Sequence, residues 1–360
     1  MDKFLFFRSN LLQWAEQNKR PLPWKGIKNP YLIWLSEILL QQTRVEQGLP
    51  YYEKFKAAFP TINDLANAHE DEVMKLWEGL GYYSRARNMH ATAKFIAHEK
   101  KGQFPSTYES ILELKGVGPY TAAAIASFAF QLPHAVVDGN VYRVLARFFA
   151  ISTPSDSAAG KKEFTNLANQ VLDKKQPDIF NQALMDFGAT HCTPKKPKCT
   201  SCPMHAKCGA FAINQVAQFP VKRKKIKRKE RFFHYLLLNF NDQIILQKRT
   251  QKDIWQQLYQ FPLIEHSSLL EDVEELQRFP TWHQFVEDSN WELQRKSKVF
   301  KQPLSHQFIY AIFWEIQLHS TINSVEFPFI LVDRKNLSKF AFPKIIDWYL
   351  NDNSLYLNLL

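Results

Sequence analysis

The sequence predicts a multidomain chain: an all-α amino-terminal part, a short basic linker, and a smaller α+β carboxy-terminal domain. Three observations predict it. Apolar residues recur every three or four positions through most of residues 1–221, the spacing of helices that bury one face. The run KRKKIKRKE at 222–230 interrupts that pattern with seven like charges, as a solvated connector does. Beyond it apolar and polar residues alternate, the period of strands. A chain of 360 residues is long enough for two or three domains, and it buries enough surface to need no disulfide staples.

Residues 1–135 read as short amphipathic helices punctuated by Pro, Gly or Asn, with helices expected over Tyr31–Gln47, Asp71–Leu80, Ser84–Glu99 and Tyr120–Phe130. Helices continue over Val141–Ala150, Lys161–Leu172 and Gln182–Gly188, followed by a cysteine-rich stretch and a short helical segment. After the basic run, Phe232–Phe240 and Gln243–Lys248 flank Asn241-Asp242, a hairpin signal. Further strands are expected over Lys298–Lys301, Phe308–Leu318 and Phe329–Val332. No internal repeat is evident.

The net charge of +11 is unevenly spread. Residues 1–221 carry 26 basic against 19 acidic side chains, the linker seven against one, and the last 130 residues 13 against 15. The basicity therefore belongs to the helical part and the linker, which points to a polyanionic partner for them. No apolar run reaches the roughly 20 residues needed to cross a bilayer, and the first residues, MDKFLFFRSN, lack a signal-peptide layout. The expectation is a cytoplasmic chain without membrane association.

Four motifs carry chemistry. In LKGVGPYT at 114–121, Gly116 and Gly118 open a helix, leaving backbone N–H groups free and a phosphate room to approach; a plain turn between helices has the same composition. Cys192, Cys199, Cys202 and Cys208 place four thiols in one stretch. One Cys-x2-Cys pair with two outlying cysteines fits iron–sulfur ligation better than the paired knuckles of structural zinc, with His191 and His205 nearby as alternative zinc ligands. Glu37 lies among apolar residues in WLSEILL, where desolvation would keep a carboxyl protonated as a general acid, although a lone helical Glu commonly faces water. Asp138, before Gly139-Asn140 and an apolar helix, is a natural N-cap, and helix amides there favour its ionised form. A protonated Glu and an ionised Asp facing one pocket would form the pair that glycosidic cleavage uses.

Together and in this order, these features resemble the endonuclease III branch of the helix–hairpin–helix DNA glycosylases, and within it the MutY-type adenine DNA glycosylases. The resemblance rests on SEILLQQTRV at 36–45, GLGYYSRARN at 79–88, LKGVGPYTA at 114–122, VDGNVYRV at 137–144 and the cysteine run, and covers about residues 1–221. It implies a six-helix module over about 28–135, with its hairpin at 114–121, and a second module from about 1–27 and 136–221 bearing a 4Fe–4S cluster on the four cysteines. Bifunctional members carry a nucleophilic lysine at the position of Tyr120; a tyrosine there implies a monofunctional glycosylase that leaves an abasic site.

By the same resemblance, adenine opposite 8-oxoguanine or guanine in double-stranded DNA is flipped into a pocket. Glu37 protonates it, Asp138 stabilises the sugar cation, and Tyr120 and Asn140 position the carboxylates and water. Trp24, Lys25, Leu40 and Gln182 line the adenine pocket. Gln42, Thr43 and Tyr82 probe the opposite base, Tyr82 as a wedge. Residues 231–360 resemble the Nudix-like module that reads 8-oxoguanine, through WQQLYQFP at 255–262 and Leu304-Ser305-His306, where the family has Phe-Ser-His. Ser305 and His306 are its expected hydrogen-bonding groups, and without a Gly- and Glu-rich metal box no Nudix hydrolysis is expected. The implied protein is a monomer on duplex DNA.

Overall fold

Helix-forming sequence occupies the amino-terminal part of the computed structural model, which describes residues 2–223, 228–286, 290–319 and 326–352. Residues 224–227 of the basic run lie outside that description. The helices are α1 (Lys3–Gln17), α2 (Pro30–Leu40), α3 (Val45–Ala58), α4 (Ile62–Asn67), α5 (Glu70–Leu76), α6 (Ser84–Glu99), α7 (Tyr108–Leu112), α8 (Pro119–Phe130), α9 (Gly139–Phe149), α10 (Ala158–Val171), α11 (Pro177–Thr190) and α12 (Gly209–Ala212). None of the described helices is long and apolar enough to cross a membrane.

The chain divides into two compact units, one of Met1–Asn67 with Ala91–Lys225 and one of Ala68–His90 with Ile226–Leu360. In the first, α1, α9, α10 and α11 enclose Phe7, Leu11, Leu145, Phe148, Phe164, Phe180 and Phe187. The α2 side packs on α8, tied by Gln41 Nε2 donating to Thr121 Oγ1 at 3.1 Å.

One expected helix, Tyr31–Gln47, is two. α2 ends at Leu40, Gln42 takes a left-handed backbone with φ 56°, and α3 starts at Val45. The apolar spacing runs through this break because both helices bury residues in the same unit, and no Pro or Gly marks residues 41–44. The sequence signal is Gly48: a Cβ there would lie 2.7 Å from Leu40 Cδ2, so α3 can pass close to the end of α2 only without one.

The second unit is built on a sheet, comprising β1 (Lys229–Phe240), β2 (Gln243–Lys248), β3 (Tyr259–Gln260), β4 (Leu263–His266), β5 (Trp291–Lys296), β6 (Phe300–Pro303), β7 (Gln307–Leu318) and β8 (Phe329–Asp333). Its main path runs β3-β2-β1-β7-β5, with β4 on β1, β6 on β7 and β8 on β2. The hairpin between β1 and β2 forms as expected, with Asn241 and Asp242 at φ 46° and 61° matching the twist of the strands. β1 and β7 pair in parallel, Tyr235 beside Phe313. Residues 233–238 are buried on both faces. Leu236, Leu238, Ile312, Trp314 and Ile316 pack with Trp282 on one side; Tyr235 and Phe313 stack on the other, with Phe313 against Tyr349. β5 is a strand the sequence pattern does not announce. WELQRK is rich in helix formers, and only its pairing with β7 at the end of the sheet path holds it extended.

Candidate active site and recognition surface

The cavity of the first unit begins with the way α2 starts. Asn29 caps the helix, its side chain accepting from Tyr31 N at 3.0 Å and Leu32 N at 3.2 Å, and Pro30 takes the first helical position. Two turns on, Glu37 is 7% exposed. α8 enters after the 113–118 turn and delivers Tyr120, whose hydroxyl donates to Glu37 Oε2 at 2.8 Å. Burial pushes the Glu37 carboxyl up to about 7; the Tyr120 bond opposes this and the nearby Asp138 charge reinforces it. The apolar neighbours of Glu37 in sequence thus mark a buried acid.

Asp138 caps α9, accepting from Asn140 N at 2.9 Å and Val141 N at 2.7 Å through Oδ1, and from Asn140 Nδ2 at 2.7 Å through Oδ2. The cap favours the ionised form, as expected. Burial nevertheless outweighs those bonds and the Arg143 charge, and the carboxyl ends above its ordinary range. The segment leading to Asp138 is fixed by a residue the sequence does not single out: buried Asn181 accepts from Val136 N at 3.0 Å and donates to His134 O at 2.8 Å.

A cavity of about 440 Å³ opens beside Glu37, and Trp24, Lys25 and Gln182 line it together with Ser36, Ile33 and Asp186. Leu40 does not line it and packs at the end of α2 toward Gly48. Trp24 meets Tyr52 edge-on at 5.2 Å. Lys25 Nζ donates to Asp186 Oδ2 at 2.6 Å and to Arg20 O at 2.8 Å, while Arg20 lies 3.8 Å from the other Asp186 oxygen. Burial lowers the Lys25 pKa and Asp186 holds it up. Asp186 escapes a sequence reading because nothing local in NQALMDFG separates it from a surface acid.

In the turn between α7 and α8, Gly116 has φ 82°, a backbone that favours glycine. Gly118 is extended, and a Cβ on it would meet no protein atom within 4 Å. Gln42 is exposed at the break after α2, and Thr43 Oγ1 donates to Gln41 O at 3.3 Å.

The four cysteines are free and half-buried. Among the described residues, no three His, Cys, Asp or Glu side chains stand in ion-holding geometry. The thiols are nonetheless close enough to affect one another: Cys202, pushed up to about 11 chiefly by burial, also feels Cys192, Cys208 and Cys199. Arg147 Nη1 donates to Cys192 Sγ at 3.4 Å, and backbone amides act on Cys202 and Cys208. This donor set, four clustered sulfurs with N–H partners, fits a four-thiolate centre. His191 instead stacks on Phe187 at 4.9 Å, and His205 bonds to Cys202 O at 2.8 Å.

The second unit has its own concave surface, a cavity of about 930 Å³ whose lining includes Tyr82, Arg87, Trp255, Leu304, Ser305 and His306. Tyr82 is 45% exposed, with φ 50° following Gly81 at φ 80°, so a strained turn thrusts an aromatic ring outward. Its hydroxyl lies 2.5 Å from Ser305 Oγ. Arg85 spreads over the Tyr82 and Trp77 rings and donates to Gly81 O at 3.1 Å.

Comparison with known proteins finds two families along the chain. The family described as HhH-GPD superfamily base excision DNA repair protein matches residues 35–170, and a NUDIX domain matches residues 234–352. The chain is similar to the adenine DNA glycosylase of Buchnera aphidicola subsp. Baizongia pistaciae, 39% identical over 265 residues, 72% of this chain and 74% of that protein. It is 45% identical over 221 residues to the adenine DNA glycosylase of Mus musculus, 59% of this chain and 43% of the mouse protein. Among solved structures, a thermostable thymine-DNA glycosylase aligns with TM-score 0.55 and 32% identity over 59% of this chain and 97% of that one. With a relative this similar over most of both lengths, and a buried acid beside a capped aspartate in the matched region, the chain belongs to the adenine DNA glycosylase family and is a base-excision-repair DNA glycosylase.

Proposed function

We propose that the protein removes adenine mispaired with 8-oxoguanine or guanine in double-stranded DNA, hydrolysing the N-glycosidic bond and leaving an abasic site. The observation that carries this reading is Glu37, buried, bound by Tyr120 and sharing its surroundings with Asp138.

An extruded adenine enters the cavity between Trp24, Lys25 and Gln182. Glu37 gives its proton to a ring nitrogen, so the base departs neutral. The Asp138 carboxylate stabilises the positive charge that grows on the sugar, directly or through a transient covalent bond, and water completes hydrolysis. Tyr120 fixes the orientation of Glu37, and Asn140 that of Asp138. Tyr120 cannot form an imine with the sugar, and Lys25 is committed to Asp186, which supports a monofunctional enzyme. On the duplex, Gly116 and Gly118 meet phosphate, Tyr82 wedges into the stack, and Gln42 and Thr43 probe the opposite base. Ser305 and His306 read the 8-oxoguanine. Cys192, Cys199, Cys202 and Cys208 would hold a 4Fe–4S cluster, which when bound staples the basic 195–198 loop in place. The chain acts as a cytoplasmic monomer.

Single-turnover cleavage of duplexes carrying adenine opposite 8-oxoguanine or guanine tests this, with Glu37→Gln and Asp138→Asn as controls. Loss of the general acid is expected to slow release by about 10²–10⁴-fold. Wild-type protein that leaves the adenine in place would overturn the reading. The purified protein is expected to be brown, with iron and labile sulfide; a colourless zinc protein would remove the cluster from the account.

A further inference from the structure

Glycines in this fold have reasons that can be read from the structure, and one reason lies outside the protein. At Gly48, Gly160 and Gly188 a Cβ would strike a neighbour: Leu40 Cδ2 at 2.7 Å, Pro154 O at 2.1 Å and Asn140 Cβ at 2.6 Å. Gly26, Gly81 and Gly102 have φ of 73°, 80° and 77°, where side chains are strained. Gly139 has neither reason. Its φ lies outside the left-handed region, a Cβ would meet nothing within 4 Å, and the residue is exposed. It is moreover the first residue of α9, where most residues are tolerated and glycine is less favourable to the helix than alanine. Gly118, in the hairpin turn, likewise would carry a Cβ into open space, and the functional reading gives it a phosphate.

We propose that Gly139 is a clearance residue: its missing side chain lets the sugar–phosphate of the extruded nucleotide lie against the first turn of α9, bringing the sugar within reach of Asp138. The neighbouring geometry favours clearance over charge. The amides of Asn140 and Val141 already go to Asp138 at 2.9 and 2.7 Å, so the helix end is occupied by the chain's own carboxylate. What the helix start offers is an open surface beside that carboxylate. A methyl group at 139 would keep the sugar from closing on Asp138 while leaving every bond within the protein intact. The inference rests on the adenine-glycosylase reading.

The test uses the full chain with Gly139→Ala and Gly139→Leu. Three quantities are measured: Tm, the single-turnover rate on an adenine:8-oxoguanine duplex, and Kd for the same duplex carrying a tetrahydrofuran abasic analogue in place of the adenine nucleotide. Expected are a Tm equal to or above wild type, a rate reduced at least about tenfold by alanine, which is about 1.4 kcal/mol of transition-state stabilisation, and a larger loss with leucine. Kd for the analogue duplex should weaken in the same order. Wild-type rates and affinities in both variants would overturn the proposal, and so would a lowered Tm, which would give the glycine an internal role. If wild-type protein releases no adenine, the functional reading fails, and the graded Kd series still decides whether position 139 meets DNA.

Discussion

Glu37 holds its proton to about pH 7 because burial penalises the charged form. Release of adenine should therefore fall about tenfold per unit above that pH, and fall again toward acid as the Asp138 carboxyl, itself held above its ordinary range, takes up a proton, in single-turnover rates measured across pH. The same group makes stability depend on pH. Below the ordinary glutamate value of 4.5 both folded and unfolded chains are protonated, and between 4.5 and about 7 only the folded chain is, so stability is lost as pH rises through that window. Relative to wild type, Glu37→Gln is expected to gain as pH rises from about 5 to about 8, by an amount on the order of 3 kcal/mol, read from urea midpoints. At this scale the sequence showed the residue types and hid their surroundings. Asp138 was legible as a cap because Gly139, Asn140 and the helix follow it directly. The burial of Glu37 was hinted at by its apolar neighbours, but its bond from Tyr120, 83 positions away, and the partnership of Lys25 with Asp186, on a separation of 161, have no local signature.

Elements were legible where their ends carry chemistry. α6 begins at Ser84 and β2 runs Gln243–Lys248 as expected, and the Asn241-Asp242 turn fixed the register of its hairpin. The break between α2 and α3 was not legible, because packing of α3 on the end of α2 rather than a helix breaker ends the first helix. α2 gives a direct check on what positions the acid. Asn29→Ala removes the acceptor for two amides of its first turn and should cost about 1 kcal/mol in urea unfolding, leaving the chemistry near wild type. A loss far larger than that would mean the cap also holds the preceding loop, which carries Trp24 and Lys25.

For the whole molecule, the change of hydrophobic period foretold where helices give way to sheet, and the charge distribution along the sequence leads to the expectation that the helical part and linker hold the duplex. Lys195, Lys196 and Lys198 are exposed between the first two cysteines. If each neutralises a phosphate, reversing all three to Glu should weaken duplex binding and flatten the slope of log affinity against log salt by about 0.9 for each phosphate no longer neutralised. An unchanged slope would remove this loop from the interface.

Arg143 and Arg147, one turn apart on α9, are 8% and 2% exposed. Among the described residues neither forms an ion pair with a carboxylate. Arg143 donates to Cys192 O, Gly188 O and Asn140 Oδ1, and Arg147 to the carbonyls of Thr193, Pro194, Val216 and Phe219. Two positive charges are thus buried beside the thiols, hydrogen-bonded to neutral acceptors, with the Asp138 carboxylate acting on Arg143 through space. A 4Fe–4S core of roughly +2 held by four thiolates carries roughly −2. The proposed cluster, held by the four cysteines, would set a negative charge of that size beside Arg143 and Arg147.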